Sequence, residues 1–221
     1  MATIYTLHPD NPQRRGIEAI TTELHKGAVM LYPTDTVYAI GCDLNVKSAV
    51  ERVRRLKQMS NDKPLTFLCD SLSKIATYAV VSDPAYRLIR RLIPGPYTFL
   101  LPATKLVPRL VMSPKRRTTG IRVPDRAIPQ AIVATLGNPV ISTSALPVAF
   151  PDDDVTDWAQ RSPVELFDAL DGLVDVIVDD QSTALDVHVS TIIDVTGSDP
   201  VVTRQGLGWE AALNWGAETL V

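Results

Sequence analysis

Apolar residues along this chain come in short bursts bounded by Pro, Gly or Asp, with no long blocks. The stretches AVMLYPT (28–34), PLTFLCD (64–70), YTFLLPA (97–103), TGIRVP (119–124), PVISTSA (139–145), VDVIVDD (174–180), STIIDV (190–195) and PVVTRQG (200–206) are rich in β-branched and aromatic residues. Their length and boundaries predict strands. Between several of them the period changes. In KSAVERVRRLK (47–57), Val50, Val53 and Leu56 recur at helical spacing, and PAYRLIRRLI (84–93) opens on a proline suited to a first helical turn. AIPQAIVATLGN (127–138) closes with Gly137 as a helix stop. This alternation predicts an α/β class of mixed, α+β-like character, because several strands follow one another too closely for an all-parallel sheet. The segment 147–163, with four aspartates between 152 and 157, reads as a surface loop with a short helix beginning near Asp154.

Length and composition narrow the class. With 221 residues and 45% hydrophobic side chains the chain can bury a core, and we expect one domain over 1–221. The apolar runs fall short of the roughly 18–20 residues of a membrane span, and the opening residues lack a signal-peptide core, so a cytoplasmic location without membrane association is expected. Cys42 and Cys69 have no CxxC or Cys/His spacing and read as packed thiols; no metal site is expected.

Charge changes the picture more. The net charge of −3 conceals 20 Lys/Arg against 10 Asp/Glu in residues 1–150, and 2 against 15 thereafter. An anionic ligand for the front part and attraction between the two parts both account for that asymmetry.

Motifs of nucleophilic and P-loop enzymes are missing: there is no Walker loop, GxGxxG or GxSxG, and the three histidines form no pattern with acids. What recurs is a strand ending in hydroxyls. Thr34 and Thr36 in YPTDT, Ser142 and Ser144 in ISTS, and Thr191 in STIID could offer neutral donors and acceptors to a small polar ligand, or could simply be strand ends. The basic candidates are Lys57 and Lys63 in LKQMSNDKPL, Lys115, Arg116 and Arg117 in SPKRRTTG, and Arg122 between Ile121 and Val123. An arginine on the face opposite its apolar neighbours in a partly buried strand needs an acid or a phosphate.

Taken in order, YPTDTVYAIGCD, LKQMSNDKPL, PGPYTFLLPA, GIRVPD, PVISTSA, STIIDV and TRQG resemble the Sua5/YrdC/YciO family of threonylcarbamoyl-adenylate synthases and their relatives. The resemblance implies a YrdC-like fold: a twisted central mixed sheet flanked by helices, with a large basic concave cavity. It implies ATP, usually with Mg²⁺, L-threonine and bicarbonate as ligands, threonylcarbamoyl-AMP and pyrophosphate as products, and a link to the N6-threonylcarbamoyl group of adenosine 37 in tRNA. On the matching positions it assigns Lys57, Arg122 and Ser144 to catalysis and nucleotide binding, Thr34, Thr36, Ser142 and Thr191 to substrate, and Arg204 to the nucleotide. An RNA partner, tRNA or double-stranded, would meet Lys115, Arg116 and Arg117.

Two positions depart from the synthases. Their K-x-R and S-x-N motifs place an arginine and an asparagine where this chain has Met59 and Leu146, and the segment before STIID lacks their glycine-rich turn. These departures resemble the YciO branch. The chain's end at 221 leads us to expect no Sua5-type C-terminal domain. A YciO-type RNA or nucleotide binder without synthase activity is the competing expectation.

Overall fold

The computed structural model describes residues 1–58 and 64–219. In chain order these form β1 (Thr3–Thr6), α1 (Arg14–His25), β2 (Met30–Tyr32), β3 (Ala39–Asp43), α2 (Lys47–Leu56), β4 (Thr66–Leu68) and α3 (Leu72–Tyr78). Then come α4 (Asp83–Leu92), β5 (Tyr97–Pro102), β6 (Thr118–Arg122), α5 (Ala127–Leu136), β7 (Val140–Ser144), α6 (Leu146–Ala149) and α7 (Val155–Trp158). The last elements are α8 (Pro163–Leu170), β8 (Val176–Asp179), β9 (Thr191–Asp194), β10 (Val201–Arg204), α9 (Trp209–Asn214) and β11 (Glu218–Thr219).

Contacts divide the chain into two compact units, Met1–Met59 with Arg126–Val187 and Ser60–Asp125 with His188–Val221. In the first, strands run in the order β1, β8, β2, β3, β7: β8 is parallel to β1 and β2, and β3 is antiparallel to β2 and β7. Helix α1 turns Ile17, Ile20, Thr21 and Leu24 inward, a helical stripe that packs against α5 and β3. Helix α2 buries Ala49, Val50 and Val53 and packs on β3.

The second unit carries the order β4, β6, β5, β9, β10, β11, again mixed: β4 pairs parallel with β6, β5 antiparallel with β6, and β9 parallel with β5. β10 runs antiparallel to β9 and parallel to β11. Phe67, Phe99, Ile121 and Ile193 are completely buried in it.

Several local expectations hold. Pro84 stands in the first turn of α4, Gly137 ends α5 at φ 78°, and Asp154 caps α7 through Thr156 and Asp157. Others need correction. The strand expected over 28–34 shortens to Met30–Tyr32, and a second strand, Ala39–Asp43, follows after one loop. Beside the short helix expected near Asp154, the start of 147–163 belongs to a second one, α6, so that segment is less irregular than its aspartates imply.

Candidate functional site

In the first unit, the loop between β2 and β3 carries YPTDT. Thr34 and Thr36 are buried, and the Thr34 hydroxyl lies 2.8 Å from the Val37 carbonyl, to which it donates, and accepts from the Thr36 amide at 3.1 Å. These bonds brace the loop itself. Arg126 Nη1 donates to the Thr34 carbonyl at 2.9 Å, while its Nη2 pairs with Asp180, whose other oxygen accepts from the Tyr38 hydroxyl at 2.6 Å. Burial and then Asp180 raise the Tyr38 pKa, keeping the phenol a donor.

Strand β7 presents Ser142 and Ser144 on one face, two residues apart. Opposite them in register lie Gly41 and Ala39. A Cβ on Gly41 would stand 2.3 Å from the Ile141 carbonyl and 2.8 Å from the Tyr32 ring. Glycine therefore lets Tyr32 lie across β3, where its hydroxyl donates to Ser142 at 2.8 Å.

Lys57 is the C-cap residue of α2, where a cation complements the helix end. Its ammonium donates to the Ser144 carbonyl at 3.2 Å, and burial lowers its pKa to about 8. The Ser144 hydroxyl is itself buried and has no hydrogen-bond partner among the described residues. A lysine and a serine from separate motifs are thus adjacent, with an unspent hydroxyl beside them.

The second unit holds the other predicted residues. Arg122 is buried at 6% exposure in β6. Arg204, more open, donates from Nε and Nη2 to the Ser190 carbonyl at 3.0 and 2.7 Å, and Nη2 also reaches the Ser190 hydroxyl. Packing around its guanidinium, then the nearby charge of Arg122, lowers its pKa. Two guanidiniums close enough to interact favour an anion. The Thr191 hydroxyl donates to Leu207 and accepts from the Gly206 amide, so its bonds hold the TRQG turn. A Cβ on Gly206 would meet the Val189 carbonyl at 2.4 Å, which is why glycine belongs there.

Lys115, Arg116 and Arg117 lie on an exposed turn, with no ion pair among the described residues. Lys63 and Met59 lie outside the described residues. Leu146 is fully buried at the start of α6. Tyr32, Tyr38, Arg126 and Asp180 are the site-supporting residues that sequence reading missed. Only the arginine after VPD, at the N-cap of α5, and the aspartate ending VDVIVDD, just past β8, carried a signal as charged groups beside element ends. The thiols of Cys42 and Cys69 are buried, and burial raises both pKa values. Among the described residues no group of three or more His, Cys, Asp or Glu side chains could hold a metal ion, and no helix is long and apolar enough to cross a membrane.

Comparison with known proteins completes this picture. The Sua5_yciO_yrdC family model, described as telomere recombination, matches residues 22–206. The chain is 40% identical to YciO of Escherichia coli strain K12, an uncharacterised protein, over 94% of this chain and 97% of the relative. The crystal structure of E. coli YciO superposes with a TM-score of 0.84 at 39% identity, again over 94% and 97%. A threonylcarbamoyl-AMP synthase of E. coli O9:H4 is 31% identical over 74% of this chain and 96% of the relative. P. abyssi Sua5, solved with L-threonine, shares the fold at a TM-score of 0.83 and 23% identity, over 99% of this chain and 63% of that one. The chain belongs to the Sua5/YciO/YrdC family.

Proposed function

We propose that the protein is a threonylcarbamoyl-adenylate synthase of reduced activity, joining L-threonine, bicarbonate and ATP into threonylcarbamoyl-AMP with release of pyrophosphate. The observation that carries this reading is the meeting of Lys57 and Ser144, 87 residues apart in sequence, beside a buried hydroxyl with no internal partner. Family membership supports it: relatives named for this synthesis align with the chain, and the P. abyssi homologue was solved with threonine.

The chemistry needs no protein nucleophile. The threonine amine attacks the carbonyl carbon of bicarbonate, water leaves, and the resulting carbamate oxygen attacks the α-phosphate of ATP. The bond from that phosphorus to the bridging oxygen breaks, and pyrophosphate departs with its electron pair. Placement and charge neutralisation therefore supply most of the acceleration.

Lys57 is suited to the carbamate and nucleotide, since its ammonium is present at neutral pH yet partly desolvated. The Ser144 hydroxyl can donate to a carboxylate or phosphate oxygen. Arg122 and Arg204 suit phosphate charge, Arg204 with an Nη1 that hydrogen-bonds no described residue. The braced loop of Thr34 and Thr36, with Ser142, forms a rigid, hydroxyl-rich wall for threonine, oriented by Arg126 rather than by free hydroxyls. Mg²⁺ would arrive on the nucleotide phosphates. A link to tRNA modification follows from this product.

A second reading is favoured by Leu146. Completely buried, it leaves an apolar side chain at the position where the synthases carry an amide, which fits a protein that binds the nucleotide without transferring its adenylyl group. Pyrophosphate release with ATP, Mg²⁺ and bicarbonate, with and without threonine, separates the two. Threonine-dependent release establishes the synthase; ATP binding without release establishes the binder.

A further inference from the structure

A separate feature lies on α4 in the second unit. Its inward face buries Ala85, Leu88, Ile89 and Leu92. The outward face shows Tyr86, Arg87, Arg90 and Arg91, which line a recess of about 300 Å³. Beside them stands Trp215, after α9, with the Arg91 guanidinium 4.4 Å from its ring centroid. Tyr86 and Trp215 are 45% and 50% exposed.

None of the three arginines forms an ion pair among the described residues. Like charges at i+3 and i+4 weaken a helix, so this arrangement disfavours the isolated fold. Arg90 and Arg91 complement the negative end of the helix, but that accounts neither for Arg87, one turn upstream, nor for two half-exposed aromatic rings. Arg87 and Arg91 are separated by about 6 Å along the helix axis, close to the spacing of successive phosphates on a strand.

We propose that this face of α4, with Trp215, docks single-stranded nucleic acid: the arginines contact backbone phosphates, and the exposed rings stack with bases. Sequence-tolerant strand binding combines these two elements, a cationic track and aromatic platforms. A protein partner fits less well, because three clustered guanidiniums with no ion pair among the described residues favour a polyanion with regularly repeated charges. The proposal does not depend on the ligation reaction.

The test is fluorescence anisotropy of a labelled oligo(U) with the full chain. Three phosphate contacts on a single strand predict an affinity loss of about 20-fold between about 50 and about 200 mM salt. Arg87→Gln with Arg90→Gln should weaken binding and reduce that salt effect to about threefold. Trp215→Leu or Tyr86→Ser should weaken oligo(U) binding while leaving inorganic polyphosphate binding unchanged, since polyphosphate has no base to stack. Circular dichroism checks that each variant is folded. Unchanged affinity and salt slope in the arginine variant would overturn the proposal. So would loss of binding only on replacing Lys115, Arg116 and Arg117, equal loss of oligo(U) and polyphosphate in the ring variants, or self-association through this face without oligo(U) binding.

Discussion

The Lys57 ammonium donates to the Ser144 carbonyl across 3.2 Å, joining the end of α2 to the end of β7. Neither position is explained by packing alone. A burial-depressed lysine beside an unspent buried hydroxyl stores unfavourable electrostatics that a bound anion relieves.

That relationship predicts a pH dependence. Anion binding requires the ammonium, so ATP affinity should fall as pH rises through about 8. Lys57→Arg, which stays charged, should bind ATP with little change up to pH 9.5, a range to be followed by calorimetry. The stability effect has the opposite sign: the unfolded lysine titrates near 10.5 and holds more protons between about 8 and 10.5, so Lys57 makes the fold more stable as pH rises through that window. Lys57→Met should remove this contribution from urea titrations.

Arg126 and Asp180 give a second prediction. Asp180→Asn weakens a pair whose aspartate is fully buried while Arg126 is 27% exposed, so the cost is about 2 kcal/mol, less than for a fully enclosed pair. Tyr38→Phe should cost about 1 kcal/mol. Denaturant midpoints measure both, and threonine affinity should drop in Asp180→Asn because the Thr34 loop loses its brace.

Arg122 and Arg116 separate buried from solvated charge. Arg122→Ala should weaken ATP binding at least tenfold, whereas Arg116→Ala on its exposed turn should change it less than twofold, as an exposed cation contributes little. Arg204→Ala should fall between them. Equal losses for Arg122 and Arg116 would make Arg122 a structural residue.

Restoring the synthase pattern is a fourth test. Met59→Arg with Leu146→Asn should raise turnover by one to two orders of magnitude, about the value of one well-aimed charged or amide contact. Because Leu146 is completely buried, the same change should lower stability by about 2–4 kcal/mol. Rates should be compared at a temperature where the variant remains folded.

Much of the framework was legible because buried strands leave compact apolar runs: 97–103 encloses Tyr97–Pro102 with one residue to spare, and 119–124 overlaps Thr118–Arg122, starting one residue late and ending two residues beyond it. The Gly137 stop followed from backbone sterics. What escaped was nonlocal. Ala39–Asp43 is a strand through pairing with β2 and β7, although Gly41 lowers its intrinsic propensity. Helix α1 was missed because its apolar residues are diluted by threonines, one of which, Thr21, satisfies its hydroxyl on Ile17 one turn earlier. At the candidate site, hydroxyl residues were easy to find but their bonds were not. Thr34 and Thr191 spend their hydroxyls on their own loops, while Ser144 does not, a difference set by partners far away in sequence.

The most direct measurement follows ¹³C from labelled bicarbonate by mass spectrometry after incubation with ATP, Mg²⁺ and L-threonine. The account predicts a labelled threonylcarbamoyl-AMP that requires threonine and is sharply diminished in Lys57→Met. An intact, ATP-binding wild-type protein that forms no labelled adduct would contradict it.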